Sequence, residues 1–273
     1  MSYIITICIV NYNSSDFVLN TLNCLEKITA NEYRVIIRDN NSKLKDFDNL
    51  KNNINKYSNV ELYRVENFFQ TGSIAHGIAV NDLIEKIDTK YGVILDADCT
   101  FLYKNWDETL INEINNDYPI IGTQGSDNLE ASRPIDFPVL FGIFFNVDIL
   151  KKLNIDFRPK NSGDFKDTGY ELATNYLENG YKGKILKFRS TRNFKDGPFN
   201  KIICGEYYLD GYDGIFMCHF GRGSSLGIPK YLKGWKKKIY LFPLIGFYLL
   251  KSKGKREKRK WITICKKLVS IYE

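Results

Sequence analysis

Tyr91-Gly92-Val93-Ile94-Leu95-Asp96-Ala97-Asp98 is the stretch that decides the fold of this 273-residue chain. Its first five residues are mostly apolar, which is typical of a strand buried on both faces of a parallel sheet. The two carboxylates that follow lie just past the carboxyl end of that strand, where open α/β sheets bind their ligands. Carboxylate oxygens are suitable ligands for Mg²⁺ or Mn²⁺. The alternative is a solvated turn, because Asp is also common in turns.

Strands and helices alternate before this stretch. Strand-like apolar runs occupy 4–10, 33–38 and 60–65. A helical pattern follows each run: one near 15–25, a polar one that ends at 52–57, and one at 72–87. Such alternation predicts an α/β fold with a mostly parallel sheet flanked by helices. The later chain is less regular: a strand is predicted at 138–145, a helix at 167–179, and a strand at 213–219 before the glycine-rich segment 220–227.

Composition places the chain among ordinary soluble globular proteins, with 44% hydrophobic and 26% charged residues. The six cysteines are scattered and form no C-x-x-C pair, so we expect reduced thiols, no zinc site and a cytosolic compartment. The apolar N-terminal run ends by Val10 and is predicted to be a first strand rather than a signal peptide. The sequence contains no apolar run long enough to predict a membrane-spanning helix.

Positive charge is concentrated in residues 228–273, which we interpret as a basic amphipathic C-terminal helical tail. From Lys230 onward the chain holds 14 of its 39 Lys and Arg residues and two of its 32 Asp and Glu residues, so the remainder is net acidic. An apolar stretch at 239–250 lies between basic runs, a pattern that favours the headgroup region of an anionic membrane. The alternative is a helical appendage that packs on the core or on a second subunit. Nucleic-acid binding is not expected, because the body is acidic and carries no recognition motif.

Three motifs occur in the order and spacing of a known family: Ile-Cys-Ile-Val-Asn-Tyr-Asn at 7–13, Ile-Ile-Arg-Asp-Asn-Asn-Ser at 36–42 and Leu-Asp-Ala-Asp at 95–98. Over about residues 3–227 the chain resembles the family 2 glycosyltransferases, which have the GT-A (Rossmann-like) fold. The resemblance implies a GT-A domain at 1–227, with a nucleotide-binding half at 1–100 and an acceptor half at 101–227. Residues 228–273 follow as the tail.

The resemblance also implies a donor site in the first half. Val10 and Tyr12 belong to the opening strand and turn, and are expected to contact the nucleotide. Asp39 would accept a hydrogen bond from the nucleotide base, because a carboxylate suits the imide N–H of uracil. Alternatively, the Asp39 side chain forms an Asx-turn with its own backbone. Asp96 would lie near the ribose and the metal, and Asp98 would be the more direct ligand of Mn²⁺ or Mg²⁺.

The general base is less clearly marked, because the family's EDxD motif is absent. The positions that correspond to this motif fall near the start of the helix predicted at 167–179. We therefore favour Asp167 as the general base over Glu171 and Asp164. A structural alternative exists for the same residues. Thr168 and Glu171 fit a capping box, in which Asp167 would only favour the helix N-terminus.

The chain has two histidines, His76 and His219. The resemblance implies that His219, which follows a predicted strand, completes the metal or diphosphate site and that Arg222 grips phosphate oxygens. A hydrogen-bonded structural histidine is the alternative for His219. His76 lies in 67–77, a segment whose spacing departs from the family pattern, and we interpret it as structural.

Taken together, these features predict a metal-dependent, inverting glycosyltransferase of hexosyltransferase type. A UDP-sugar is the favoured donor, and the acceptor would be a glycan or lipid-linked oligosaccharide of a bacterial-type surface polysaccharide. The expected location is cytoplasmic and peripheral, on the inner face of the membrane. One alternative is a sugar nucleotidyltransferase, although the glycine-rich basic loop such enzymes need after the first strand is missing. Another is a catalytically inactive GT-A module that serves as a membrane-bound scaffold.

Overall fold

The structure is a computed structural model that describes residues 3–66, 70–125, 135–159, 167–232 and 245–272. Its strands are β1 Ile5–Asn11, β2 Tyr33–Asp39, β3 Val60–Arg64, β4 Tyr91–Asp96, β5 Cys99–Phe101, β6 Ile120–Gln124, β7 Pro138–Asn146, β8 Gly183–Ser190, β9 Gly205–Tyr208 and β10 Met217–His219. Its helices are α1 Ser15–Ile28, α2 Leu44–Ile54, α3 Gly72–Glu85, α4 Trp106–Glu113, α5 Val147–Leu153, α6 Leu172–Glu178, α7 Ile228–Tyr231 and α8 Ile245–Val269. Short 3₁₀ turns occupy Gly223–Ser225 and Ser270–Tyr272.

The described strands form one sheet in the order β3-β2-β1-β4-β7-β6-β8-β9-β10-β5. The first four are parallel, and their register places Val10 beside Asp96 and Asn11 beside Asp39. Because parallel strands end at the same edge of a sheet, the carboxylates that follow β2 and β4 lie at one common edge.

The predicted α/β fold with flanking helices is confirmed, and parallel pairing is strongest in its N-terminal half. Among the described strands beyond β4, only β6 and β8 pair in parallel, whereas β7, β9, β10 and β5 join the sheet through antiparallel pairs. Connection length explains part of this difference. Residues 209–216 join β9 to β10 and are fewer than the roughly dozen residues that a parallel crossover requires.

Alternating side chains of the sheet build a hydrophobic core on each face. On one face Ile7 of β1 packs with Phe17 of α1, whereas on the other Cys8 packs with Val80 of α3. This period-two alternation explains why β1 reads as a continuous apolar run, since both faces are covered.

Helix α6 begins later than the sequence predicts. The predicted helix started at Asp167, but α6 starts at Leu172, and residues 168–171 form turns. Gly169 has a left-handed backbone with φ of 68°, which a continuous α-helix excludes. The predicted site residue Asp167 therefore lies just before a turn instead of at a helix N-terminus.

Helix α8 carries the described part of the basic tail and packs against the face of the sheet that α1 covers. Trp261, Cys265 and Val269 are fully buried in the same hydrophobic core as Phe17. Their spacing of four residues places them on one side of the helix. The division of the chain at residue 228 stays a prediction, and residues 233–244, with the basic run Lys236–Lys238, lie outside the described residues. In the described ranges, every helix is too short or too polar to cross a bilayer.

Candidate active site

Three potential metal ligands meet at the carboxyl edge of the sheet. Asp96 ends β4, Asp98 lies in the turn between β4 and β5, and His219 ends β10. One ligand atom from each lies within 4.8 Å of the others. Antiparallel pairing of β10 with β5 brings His219 opposite Cys99, so the histidine reaches a carboxylate pair that is distant in sequence. The predicted grouping of these three residues is present in the structure.

Backbone groups around the cluster hold Asp98 and His219 in place. The N–H of Gly223 donates to Asp98 Oδ2 at 2.8 Å, and His219 Nε2 lies 3.2 Å from Asp98 Oδ1. A Cβ on Gly223 would lie 2.7 Å from the Cβ of Asp98, so this close approach requires glycine. The ring of Phe141 packs against the imidazole of His219, with 4.7 Å between ring centroids. Neither of these two contacts could be predicted from the sequence, because both depend on tertiary packing.

The electrostatics of the cluster suit a cation. Burial raises the pKa of Asp96 to about 7, with the negative charges of Asp98 and Asp167 adding to the effect and His219 opposing it. Burial also disfavours charge on Asp98, but His219 and the N–H of Gly223 outweigh it and lower the pKa of Asp98. The same carboxylates raise the pKa of His219 despite its burial. Crowded carboxylates that repel one another are stabilised by a bound cation, and two carboxylates with one imidazole suit a divalent ion such as Mn²⁺.

His76 lies at the rim of the cluster, in the first turns of α3. Its Nε2 is 3.6 Å from Asp96 Oδ1, and its ring is partly buried. Burial lowers the pKa of His76 and so favours the neutral imidazole, although the charges of Asp167 and Asp98 oppose the shift. The structural role predicted for His76 stays a prediction. The altered motif spacing gave no indication that His76 would lie beside Asp96, as it does in the structure.

Asp167 lies close enough to the cluster to affect its electrostatics. It is exposed, and its charge raises the pKa values of both Asp96 and His76, which places it in their electrostatic neighbourhood. Its Oδ1 accepts hydrogen bonds from the Ser73 hydroxyl and from the Thr168 N–H, the latter at 2.8 Å. These contacts join the turn before α6 to the start of α3 and orient the carboxylate.

The other base candidates differ in their placement. Glu171 is the residue before α6 and makes no capping hydrogen bond with its side chain. The N-cap position of α6 is occupied by Glu171 rather than Thr168, and the Thr168 hydroxyl donates to the Ser73 carbonyl at 2.9 Å. Asp164 lies outside the described residues.

Asp39 is fully buried at the end of β2. It accepts hydrogen bonds from the Asn11 side chain at 2.8 Å and from the Ser42 N–H at 3.0 Å, and Arg64 Nη1 lies 3.7 Å away. The Ser42 contact is a turn hydrogen bond of the kind that the sequence allowed as an alternative. The contact of Asp39 with a nucleotide base stays a prediction.

The remaining predicted donor-site residues lie along the same edge. Val10 pairs with Asp96 in the β1–β4 register, and the Tyr12 side chain just beyond it is 53% exposed. Arg222 lies between His219 and Gly223, is exposed, and has a left-handed backbone with φ of 61°. The fold therefore brings Val10 and Tyr12 to the edge that carries the carboxylates, and it places Arg222 in the loop between His219 and Gly223.

Residues 6–155 match the model of glycosyl transferase family 2, which is more than half of the chain. The chain belongs to this family. The matched residues include the strands from β1 to β7 and both carboxylates of the Asp96-Ala97-Asp98 motif. The predicted family, which is one of glycosyltransferases, and the GT-A fold are confirmed.

Solved glycosyltransferase structures resemble this family 2 chain at low sequence identity. The mannosyltransferase PcManGT from Pyrobaculum calidifontis, in complex with GDP-Man and Mn²⁺, is 12% identical with a TM-score of 0.53, over 68% of this chain and 55% of that chain. TarS 1-349 from S. aureus, in complex with UDP-GlcNAc, is 15% identical with a TM-score of 0.47, over 85% of this chain and 67% of that chain. No curated protein matches by sequence. The chain thus spans about half of the mannosyltransferase, and that likeness concerns the fold.

Proposed function

We propose that this glycosyltransferase moves a sugar from a nucleotide-sugar donor to a glycan acceptor, with inversion and with dependence on Mn²⁺ or Mg²⁺. The observation that carries the proposal is the cluster of Asp96, Asp98 and His219, whose ligand atoms lie within 4.8 Å at the edge of the sheet. A protein of the same fold, the P. calidifontis mannosyltransferase, was solved with GDP-Man and Mn²⁺. A UDP-sugar remains the favoured donor, because the Asp39 carboxylate suits the imide N–H of uracil.

The donor would lie along the edge formed by β1, β2 and β4. Val10, Tyr12 and Asp39 would contact the nucleoside, and Arg222 would pair with the diphosphate. Asp98 and His219 would hold the metal, with Asp96 between metal and ribose. When bound, the metal neutralises charge on the departing nucleoside diphosphate.

Asp167 would act as the general base. Its carboxylate would take the proton of the acceptor hydroxyl while that oxygen forms its bond to the anomeric carbon and the bond from that carbon to the diphosphate breaks. Hydrogen bonds from Ser73 and Thr168 to Oδ1 fix the orientation of the carboxylate for this transfer. Glu171, four residues further along the chain, is the alternative base.

The acceptor would be a glycan or a lipid-linked oligosaccharide, reached by peripheral binding to the anionic cytoplasmic face of a membrane. Support comes from the solvent side of α8, where the exposed cations are Lys251, Lys255, Arg256, Arg259, Lys260, Lys266 and Lys267. Phe247 and Tyr248, near the start of the helix, are 61% and 73% exposed. A cationic helix face with exposed aromatic side chains favours the headgroup region of an anionic bilayer.

Hydrolysis of a panel of nucleotide sugars, with Mn²⁺, with Mg²⁺ and with chelator, tests the catalytic proposal. We expect release of nucleoside diphosphate from one donor only when metal is present. Asp98→Asn should lower the rate by about 10²-fold or more, since it removes ligand charge but retains an acceptor for the Gly223 N–H. Asp210→Asn makes the same chemical change in a surface ion pair with Lys187 and should leave the rate unchanged.

Two other outcomes would contradict the proposal. Release of pyrophosphate from a nucleoside triphosphate and a sugar phosphate would identify a nucleotidyltransferase instead. Calorimetry that detects no metal-dependent binding of UDP or GDP would favour a catalytically inactive scaffold.

A further inference from the structure

The inward face of α8 contacts the residues on both sides of His219. Trp261 is fully buried, and its Nε1–H donates to the Sγ of Cys218 at 3.0 Å. Phe220, on the other side of His219, packs against Phe17 and Trp261 with ring centroids 5.0 and 6.3 Å away. The histidine is therefore flanked in the chain by two residues that α8 and α1 hold in place.

Helix α8 also supports the loop that follows His219. A Cβ on Gly254 would lie 2.3 Å from the carbonyl oxygen of Leu226, so the helix backbone and this loop are in direct contact. The same loop contains Gly223, whose N–H donates to Asp98. Through this loop the helix reaches a second residue of the metal cluster.

Two polar side chains strengthen the same junction. Glu257 of α8 is buried and accepts hydrogen bonds from the Tyr231 hydroxyl at 2.9 Å and from the Ile203 N–H at 3.2 Å. Lys230 Nζ donates to the carbonyls of Phe220 at 2.8 Å and Ile203 at 2.6 Å. These contacts join α8, α7 and the end of β10 into one packed unit.

We propose that α8 is a positioning element of the metal site, in which Trp261 and Gly254 set the places of His219 and Gly223. This inference depends on the metal site of the proposed function. Strand β10 has only three residues, so its ladder alone fixes the direction of His219 weakly, and the contacts at Cys218 and Phe220 complete the constraint. Residues that support metal ligands change metal affinity by about 10- to 100-fold when they are replaced.

Two tryptophan variants of the intact chain test the inference. Trp261→Phe retains an aromatic ring but removes the N–H that Cys218 accepts. Trp106→Phe is the matched control, because Trp106 is equally buried and its Nε1–H donates to the Thr29 hydroxyl at 3.0 Å. We expect the Kd for Mn²⁺, measured by calorimetry, to rise about tenfold in Trp261→Phe and to stay unchanged in Trp106→Phe, with similar losses of Tm.

Turnover at saturating Mn²⁺ separates positioning from a general loss of structure. Trp261→Phe should regain close to the wild-type kcat once the metal is saturating, since its defect is in affinity. Gly254→Ala provides a second variant: alanine favours the helix, yet its Cβ displaces Leu226, so the Kd for Mn²⁺ should rise without loss of helix content.

Wild-type affinity for Mn²⁺ in both Trp261→Phe and Gly254→Ala would overturn the inference and leave the proposed function intact. A wild-type protein that binds no Mn²⁺ would overturn the metal site of the proposed function, and the inference with it.

Discussion

Removing charge from the solvent face of α8 should release the protein from an anionic membrane. The helix exposes seven cations on this face, whereas Glu257, the only carboxylate among residues 245–272, is buried on the opposite face. The perturbation is the triple substitution Lys255→Ala, Arg256→Ala and Arg259→Ala. All three side chains are exposed, so the free energy of unfolding should change by less than about 1 kcal/mol.

The magnitude follows from the number of cations removed. A Lys or Arg close to an anionic bilayer contributes about 1 kcal/mol of binding free energy. Three such residues contribute about 3 kcal/mol, and each 1.4 kcal/mol is a factor of about ten, so affinity should fall about 100-fold. The exposed Phe247 and Tyr248 remain in the variant and should retain a weaker, less salt-sensitive binding.

Co-sedimentation with lipid vesicles is the assay. The wild type should bind vesicles rich in phosphatidylglycerol, bind phosphatidylcholine vesicles weakly, and lose affinity for the anionic vesicles as salt rises. The matched control is Lys43→Ala, Lys45→Ala and Lys51→Ala, which removes the same net charge from exposed positions at and near α2. This control should bind like the wild type.

Equal losses in the two triple variants would refute the assignment of this face, because binding would then follow the net charge of the protein. Equal binding of the wild type to neutral and anionic vesicles would also refute it. Tighter binding to a nucleic acid duplex than to anionic vesicles would indicate a different polyanionic partner.

Two further predictions concern stability. Asp107 is fully buried and accepts hydrogen bonds from the N–H groups of Ala30 and Asn31 and from the Asn31 side chain. Asp107→Ala should therefore lower the free energy of unfolding, measured by urea denaturation, by about 3 kcal/mol. A loss below about 1 kcal/mol would contradict this prediction. Burial lowers the pKa of Lys230 to about 8, whereas the unfolded chain retains the usual value near about 10.4, so the unfolded state binds more protons between these values. The free energy of unfolding of the wild type, relative to that of Lys230→Met, should therefore rise from about pH 8 to pH 10. A difference between their denaturation midpoints that stays constant over this range would contradict the lowered pKa of Lys230.

The first half of the fold could be predicted from the sequence because its signals are local. A strand buried on both faces is apolar throughout, so β1 and β4 are recognisable without knowledge of their neighbours. The carboxylates Asp96 and Asp98 are equally visible, since they directly follow the strand that carries them. The match to family 2 covers this same half of the chain.

The start of α6 and the packing of α8 were harder to predict from the sequence. A helical pattern runs through residues 167–179, but Gly169 has a left-handed conformation and the turn around it contacts distant parts of the chain, at Ser73 and Phe157. The amphipathic pattern of α8 indicated a helix with one apolar side. It did not indicate whether that side would meet a membrane, a second subunit or, as in the structure, the core around Phe17.

By itself the sequence determined the α/β class, the strands of the N-terminal half and the carboxylate pair, because hydrophobic periodicity and adjacent residues act over short distances. Only the tertiary structure decided which distant residues complete the site. Gly223 donates to Asp98 across 125 positions of the chain. Strand pairing brings His219 to the carboxylates, and loop packing brings the charge of Asp167 close enough to act on Asp96. Such encounters depend on the burial of whole faces of the sheet, so they leave no local pattern that a sequence could show.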